Sequence, residues 1–558
     1  MKKNKLFIGA LALVMSVVTA CSSKTQNTIT TSQDKDTFTY AISDDPSSTN
    51  PIKVSDRWGL TMTNIIYSPL IKVNGDGSKE YALAESTELA KDGLSLKVNL
   101  RKDVKWSDGQ KFTADDVVFT YQTKAKKENG NFKNLWIGDK PITIEKVDDY
   151  TVVFKFPEPS AAAANNIANE TYIIPKHVYG NVSDFSAKEL KETPVGTGPY
   201  KLVENKRGEY IKFEANENYY NGKPKVKNVV LRIIKSADTT KVALQKGEVD
   251  AAYVLPAAIK DLDSKNIDTY PYSENRIGYL GLNTNTDELK DVKVRQAILY
   301  ALNKEDMNKA AYLDSKYYQN PYSFLPPKNP FHTDDVEKYT QNVEKAKSLL
   351  KEAGVSNLKL NLGYASNDAA NTIQATFIQQ QLQAVGINVE LRGGDETAIF
   401  TELRKVGSKA YNLFLGGYIM GNDPDLYSKL FGSNGTSNYF QFRSEKIDGL
   451  FKQGAAELDE TKRKEVYKNL QQEVANQAYL YPIVDNQKIL AVNKRVGNVN
   501  DAKLVPIYTF DDLSKMFYRY LIILATMSPS ITIFTTAASM LRNKIARNVL
   551  SVLIAILN

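Results

Sequence analysis

Few residues in this 558-residue chain are typed and spaced for bond-making chemistry. Asp115 and Asp116 stand side by side and invite a reading as a general acid–base pair. Thr113, three residues before Asp116, gives a simpler one. The spacing is that of a helix N-cap, with both acids at the positive end of the helix dipole. The two histidines, His177 and His332, lie in unrelated contexts. They build no Ser-His-acid arrangement, and no Cys/His/Asp cluster has metal-ligand spacing. The glycine-rich run Pro194-Val195-Gly196-Thr197-Gly198-Pro199-Tyr200 could pass for a phosphate loop, yet it lacks the lysine and the following helix that such a loop needs. The expectation is a chain with no catalytic residues, no metal site and no cofactor.

Cys21 has a different chemistry. It is the one cysteine in the chain, so no internal disulfide can form. Before it come a basic start, Met1-Lys2-Lys3-Asn4-Lys5, an apolar run from Leu6 to Val18, and the small residues Thr19 and Ala20. That is a signal peptide, residues 1–20, ending in a sequence that resembles the lipobox of a bacterial lipoprotein. Acyl chains on Cys21 would hold the protein at the outer face of the cell membrane without a spanning helix. The polar stretch that completes residues 21–36 reads as a flexible tether.

At the other end, residues 516–558 contain no acid and four basic residues, Arg519, Arg542, Lys544 and Arg547. Tyr520 to Met540 is mostly apolar and about long enough to span a bilayer, although Pro529 and several Ser and Thr weaken it. Three origins stay open: a membrane anchor, an amphipathic surface helix, or a foreign tail joined by a frameshift or a lost stop. The formal net charge of +8 comes almost entirely from three leader lysines and these four tail residues. The body is close to neutral, which removes any argument for nucleic acid.

Between the ends the chain is 42% hydrophobic and 24% charged, a composition for large globular domains. Period-two alternation predicts strands over 38–42, 96–100, 150–156, 210–213, 229–234, 358–364 and 387–391. Helices are expected over 61–71, 237–245, 343–352, 372–385 and 457–475. Val294, Ala297, Ile298, Ala301 and Leu302 fall on one face of a further helix. The strand–helix–strand run over 358–391 implies parallel pairing under helical cover.

Several of these segments carry longer signatures. Arg101 to Gly109 reads R-x-x-V-x-W-S-D-G, and F-T-A-D-D-V follows from Phe112. P-V-G-T-G-P-Y, G-E-V-D-A-A from Gly247 and V-R-Q-A-I-L-Y-A-L-N-K-E-D from Val294 come later. In this order they resemble family 5 extracellular solute-binding proteins, the peptide- and nickel-binding receptors of ABC importers. The resemblance runs from about Phe38 to Lys515.

It implies an α/β, two-lobed periplasmic-binding-protein-like fold (type II, cluster C) with an extra domain inserted in the first lobe. Lobe 1 would comprise 37–65, 173–275 and 487–515, the inserted domain 66–172, and lobe 2 276–486. Residues 516–558 would lie outside the receptor fold; a downstream permease gene would begin much as Met516 does. The implied function is capture of an oligopeptide between the lobes by a monomer, which delivers it to an ABC permease and its ATPase subunits. A nickel chelate, haem or another solute, or a peptide pheromone, stands as the alternative ligand.

The resemblance also points to the segment Leu413 to Phe431. Peptide-binding members carry an aspartate there that receives the ligand's α-amino group. Asp423-Pro424-Asp425 matches the end of that segment, but the acid often found three residues earlier is Met420 here. Either Asp423 takes over the amine contact or the ligand is engaged differently; the plainer alternative is a pair of turn acids around a proline. Trp58, Tyr279, Asn283, Tyr418 and Asn438 complete the expected ligand-binding set with Asp423 and Asp425.

Overall fold

Two long antiparallel strands, Ile267–Leu282 and Leu480–Asn493, form the spine of the molecule. The computed structural model describes residues 36–519, apart from 75, 77, 131, 168–170 and 191–192. Cys21, the leader and the tail from 520 onward lie outside the described residues. The two spine strands sit within one eleven-stranded mixed sheet. On one side follow Ala251–Tyr253, Thr37–Ile42, Asn228–Ile233, Tyr210–Ala215 and Tyr200–Lys206. On the other follow Leu413–Ile419, Lys359–Ala365 and Asn388–Gly394.

The central strands are buried along most of their length, while outer strands such as Tyr210–Ala215 and Asn388–Gly394 alternate buried and exposed residues. On the first side Phe38, Tyr40, Ile211 and Leu231 pack against Trp58, Leu60 and Met62 of the helix Arg57–Ile66. On the second, Leu280, Leu282 and Leu362 meet Ile298 and Leu302 of one helical segment and Ile378 and Leu382 of another. The parallel pair expected over 358–391 is present, with Leu360 opposite Val389. The helix that crosses between its strands is Ala369–Gln383.

A third core belongs to a separate four-stranded antiparallel sheet, Ala84–Leu89, Ser95–Leu100, Thr151–Lys155 and Thr143–Asp148. Leu96, Val98 and Leu100 turn inward to Trp106, Val117 and Tyr121. The helix Ala114–Lys124 begins where Thr113 predicted. Asp116 is buried there: its carboxylate accepts the Thr113 N–H (3.0 Å), the Lys176 N–H (2.9 Å) and the Trp106 indole N–H (3.3 Å). Asp115 points outward to Lys146 at 2.7 Å. The adjacent acids divide into a cap and a surface ion pair.

Three expectations shift. The helix expected from residue 61 starts at Arg57, because the Asp56 carboxylate accepts the Gly59 N–H at 3.0 Å and caps it. The two spine strands lie outside the strands expected from alternation, since burial along most of their length erases it. The folded body also continues past Lys515. Met516 is 1% exposed in the first core, and Phe517–Tyr518 pairs with Val496–Gly497. The Tyr518 hydroxyl donates to the Thr37 carbonyl (2.6 Å), so the boundary placed before Met516 cuts through packed structure. Among the described residues no helix is long and apolar enough to cross a membrane.

The run 194–200 is a close-packing device. A Cβ on Gly196 would lie 1.8 Å from the carbonyl oxygen of Ile66, at the end of the helix that supports lobe 1. Gly196→Ala is expected to lower the unfolding free energy by about 2 kcal/mol or more through this backbone clash, measured by urea denaturation.

Candidate functional site

The ladder between the spine strands breaks register between Ser273 and Ile277, and Asn275 there has a φ of +54°. Glu274 sits in this break. Its carboxylate takes two parallel N–H bonds from Arg57, at 2.6 and 2.8 Å. Burial opposes its charge, but the guanidinium fork wins and holds the Glu274 carboxyl below its usual range. The pair then clasps a loop from the far end of the chain. Glu274 accepts the Ile507 N–H (3.3 Å), and Arg57 donates to the Ile507 carbonyl (3.2 Å). Ile507 and Thr509 have φ of +66° and +69°, a conformation that β-branched residues rarely hold.

That loop, Val505 to Tyr508, walls a cleft of about 140 Å³. The strand Ile71–Val73, Asn64 and Tyr172 continue the same wall, and Ile419 to Asn422 form the facing one. The strand leading into the facing wall pairs with its parallel neighbour only at Leu413 and Phe414, so that ladder stops short of the cleft. The Asn422 side-chain amide donates to the Asn74 carbonyl, joining the two walls. Asn64, Asn74, Asn275 and Asn422 line it, with the Asn64 amide bonded to the Phe510 and Asp511 carbonyls and to Tyr172, and the Asn74 amide to Ser78, Glu80 and Lys503. Tyr172 and Tyr508 meet edge to face at 6.1 Å. The charges in the described lining are Lys72 and Asp511, paired at 3.0 Å. Among the described residues no group of three or more His, Cys, Asp or Glu could hold a metal ion.

None of the seven expected ligand-binding residues is among the described residues that line this cleft. Asp423 caps the short helical turn Pro424–Tyr427 by accepting the Asp425 N–H at 3.1 Å. Both its oxygens lie 2.8 Å from Nη2 of Arg463, and it accepts a further bond from Asn165 at 2.9 Å. With its lone pairs committed and its side chain 2% exposed, it has nothing left for a ligand amine. Burial, and then repulsion from Asp423, pushes the Asp425 carboxyl up to about 7.

Trp58 packs on Tyr40 and Tyr253 and donates its indole N–H to Ser43. Tyr279 lies among Phe414, Tyr418 and Phe440 in the aromatic core of lobe 2. The Tyr418 hydroxyl donates to the Phe324 carbonyl at 2.6 Å. Asn283 spends its amide N–H groups on the carbonyls of Ser408 and Tyr411, and Asn438 spends its own on Gly432 and Phe442. Their residue types suit a cleft, but their strand and turn positions turn them inward.

The family model for bacterial extracellular solute-binding proteins, family 5, matches residues 80–439. The chain belongs to this family. The crystal structure of the ABC transporter substrate-binding protein CtaP from Listeria monocytogenes superposes with a TM-score of 0.82 at 35% identity, covering 86% of this chain and 99% of that one. The oligopeptide-binding protein AppA of Bacillus subtilis is 28% identical over 526 residues, 86% of this chain and 93% of its own. The dipeptide-binding protein of Escherichia coli is 28% identical over 529 residues, 89% of this chain and 95% of its own.

Family 5 proteins are substrate-binding proteins of transport systems, of the extracellular or periplasmic type, with peptide ligands and ABC transporters as the family's expected partners. In this family 5 chain, sequence reasoning missed Lys72 and Asp511, which are 439 residues apart. No local pattern joins them. Ile419 to Asn422, in the segment that leads into the Asp-Pro-Asp run, are cleft residues that the motif reached.

The Asp425 carboxyl is raised in the folded protein above its ordinary 3.8. Between those two values the folded state holds a proton that the unfolded chain releases, so stability falls as pH rises from about 4 to about 7. Asp425→Asn is expected to flatten this part of the stability profile, read by urea unfolding at stepped pH.

Proposed function

We propose that this protein is a lipid-anchored receptor that captures oligopeptides between its lobes and delivers them to the permease of an ABC importer. The observation that carries the reading is the cleft at the crossover, lined by side-chain amides and with its charges internally paired. Amides donate and accept, so they match a peptide backbone whatever its side chains. The strand that ends at Ile419 offers an edge beyond Phe414 to which an extended ligand could add as a further strand. Met420 beside it supplies an adaptable apolar surface instead of a fixed charge. Closure about the strand break would bury the ligand, and the closed form, acting as a monomer, is what the permease would engage.

Native mass spectrometry of the protein, extracted in mild detergent without refolding, tests the ligand class. A ladder of excess masses fitting short peptides is the expected result. A single discrete excess, or a metal isotope pattern, would replace the peptide with another solute such as haem or a nickel chelate.

The anchor has its own test. Cys21→Ser is expected to abolish labelling by radioactive palmitate and to move the protein from the membrane fraction into the soluble one. Unchanged labelling would remove the lipid from this reading.

A further inference from the structure

We propose that the Lys72–Asp511 ion pair reads the first residue of a bound peptide, with Asp511 receiving the α-ammonium group and Lys72 the first carbonyl oxygen. This rests on the peptide reading above and adds the residues that fix where the chain begins.

Both side chains face the cleft and are about equally wet, 20% exposed for Lys72 and 18% for Asp511. Asp511 is held rigidly by its backbone. Its N–H donates to the carbonyls of Ala502 (3.1 Å) and Lys503 (2.9 Å). Its own carbonyl accepts from Asn64 (3.3 Å) and from the Lys72 ammonium (3.1 Å). The Lys72 ammonium lies 3.0 Å from Oδ1. No described residue donates to Oδ2, so that oxygen keeps its acceptor capacity.

The pair thus presents a negative and a positive head side by side. The start of a peptide is the complement. Its ammonium nitrogen and its first carbonyl carbon are bonded to the same Cα, so a fully charged donor and an acceptor oxygen lie close together. An ammonium that leaves water for a closed cleft must meet a carboxylate. Asp511 is the acid in the described lining, while Asp423 is committed to Arg463 and Met420 carries no charge. The Tyr172–Tyr508 pair lines the same cleft, and the face of either ring is a further place where a cation is favoured.

The competing role is purely structural, a pin between the strand Ile71–Val73 and the end of the chain. Titration calorimetry separates the two. The probes are a synthetic pool of alanine-, serine- and valine-based tetrapeptides with free amino termini, and the same pool acetylated at the amino terminus. For the full-length protein, acetylation is expected to weaken binding by about tenfold or more, the size of one charge-assisted hydrogen bond. Asp511→Asn is expected to bind both pools within about twofold of each other. Lys72→Met, which frees the carboxylate, is expected to keep or widen the preference for the free terminus.

Equal binding of both pools by the unmodified protein overturns the assignment and leaves the peptide reading standing. So does a preference that survives Asp511→Asn. Binding of neither pool by the unmodified protein removes the peptide reading and this assignment together. A lowered melting temperature in Asp511→Asn with the preference intact identifies the pair as the structural pin.

Discussion

The ion pair between Arg57 and Glu274 ties together parts of the chain that sequence keeps far apart. Arg57 opens the helix that supports the first core, Glu274 lies in the break of a spine strand, and both grip Ile507 near the end of the body. Desolvating two charges is costly, and the pair holds because its geometry is a two-bond fork with further partners on both sides. Together with the hairpin pairing of Val505 with Thr509 and a bond from the Thr61 hydroxyl, it holds Ile507 in a left-handed conformation. The cleft wall is thereby joined to the crossover strand through this ion pair.

Three ion pairs illustrate how burial decides what a charge can do. Asp423 and Arg463 are 2% and 5% exposed, and their bonds are mutual and complete. Arg57 and Glu274 are wetter on the arginine side, at 24% against 3%, and act as a joint between elements. Lys72 and Asp511 are both near one-fifth exposed and open onto the cleft. A sealed pair resists any partner exchange, because a freed buried charge is uncompensated. A wet pair can rearrange at little cost, since water covers each intermediate geometry. The least buried of the three is the one suited to meet a ligand.

Contacts between the inserted domain and lobe 2 follow the same logic. Asn165 reaches the Asp423 carboxylate, Lys429 reaches the Asn134 side chain at 3.0 Å, and the Asn422 amide reaches the Asn74 carbonyl. These are amide and single-charge contacts, individually modest and replaceable by water.

The sequence by itself determined the family, the order of the elements and the outline of the three cores. The family follows from the order of the longer signatures, and the elements from periodicity and from caps such as Thr113 and Asp116, encoded within a few neighbouring residues. The segment holding the Asp-Pro-Asp run was legible too, but not the direction in which Asp423 points. A carboxylate next to a proline looks the same in sequence whether it faces a ligand or an arginine, and Arg463 stands 40 residues away. Only the tertiary structure decided that Trp58, Tyr279, Asn283, Tyr418 and Asn438 pack inside the lobes, and that Lys72 meets Asp511 across 439 residues. The physical reason is range: local sequence fixes backbone conformation and one apolar face, whereas a cleft between lobes is made by long-range contacts that no local pattern records.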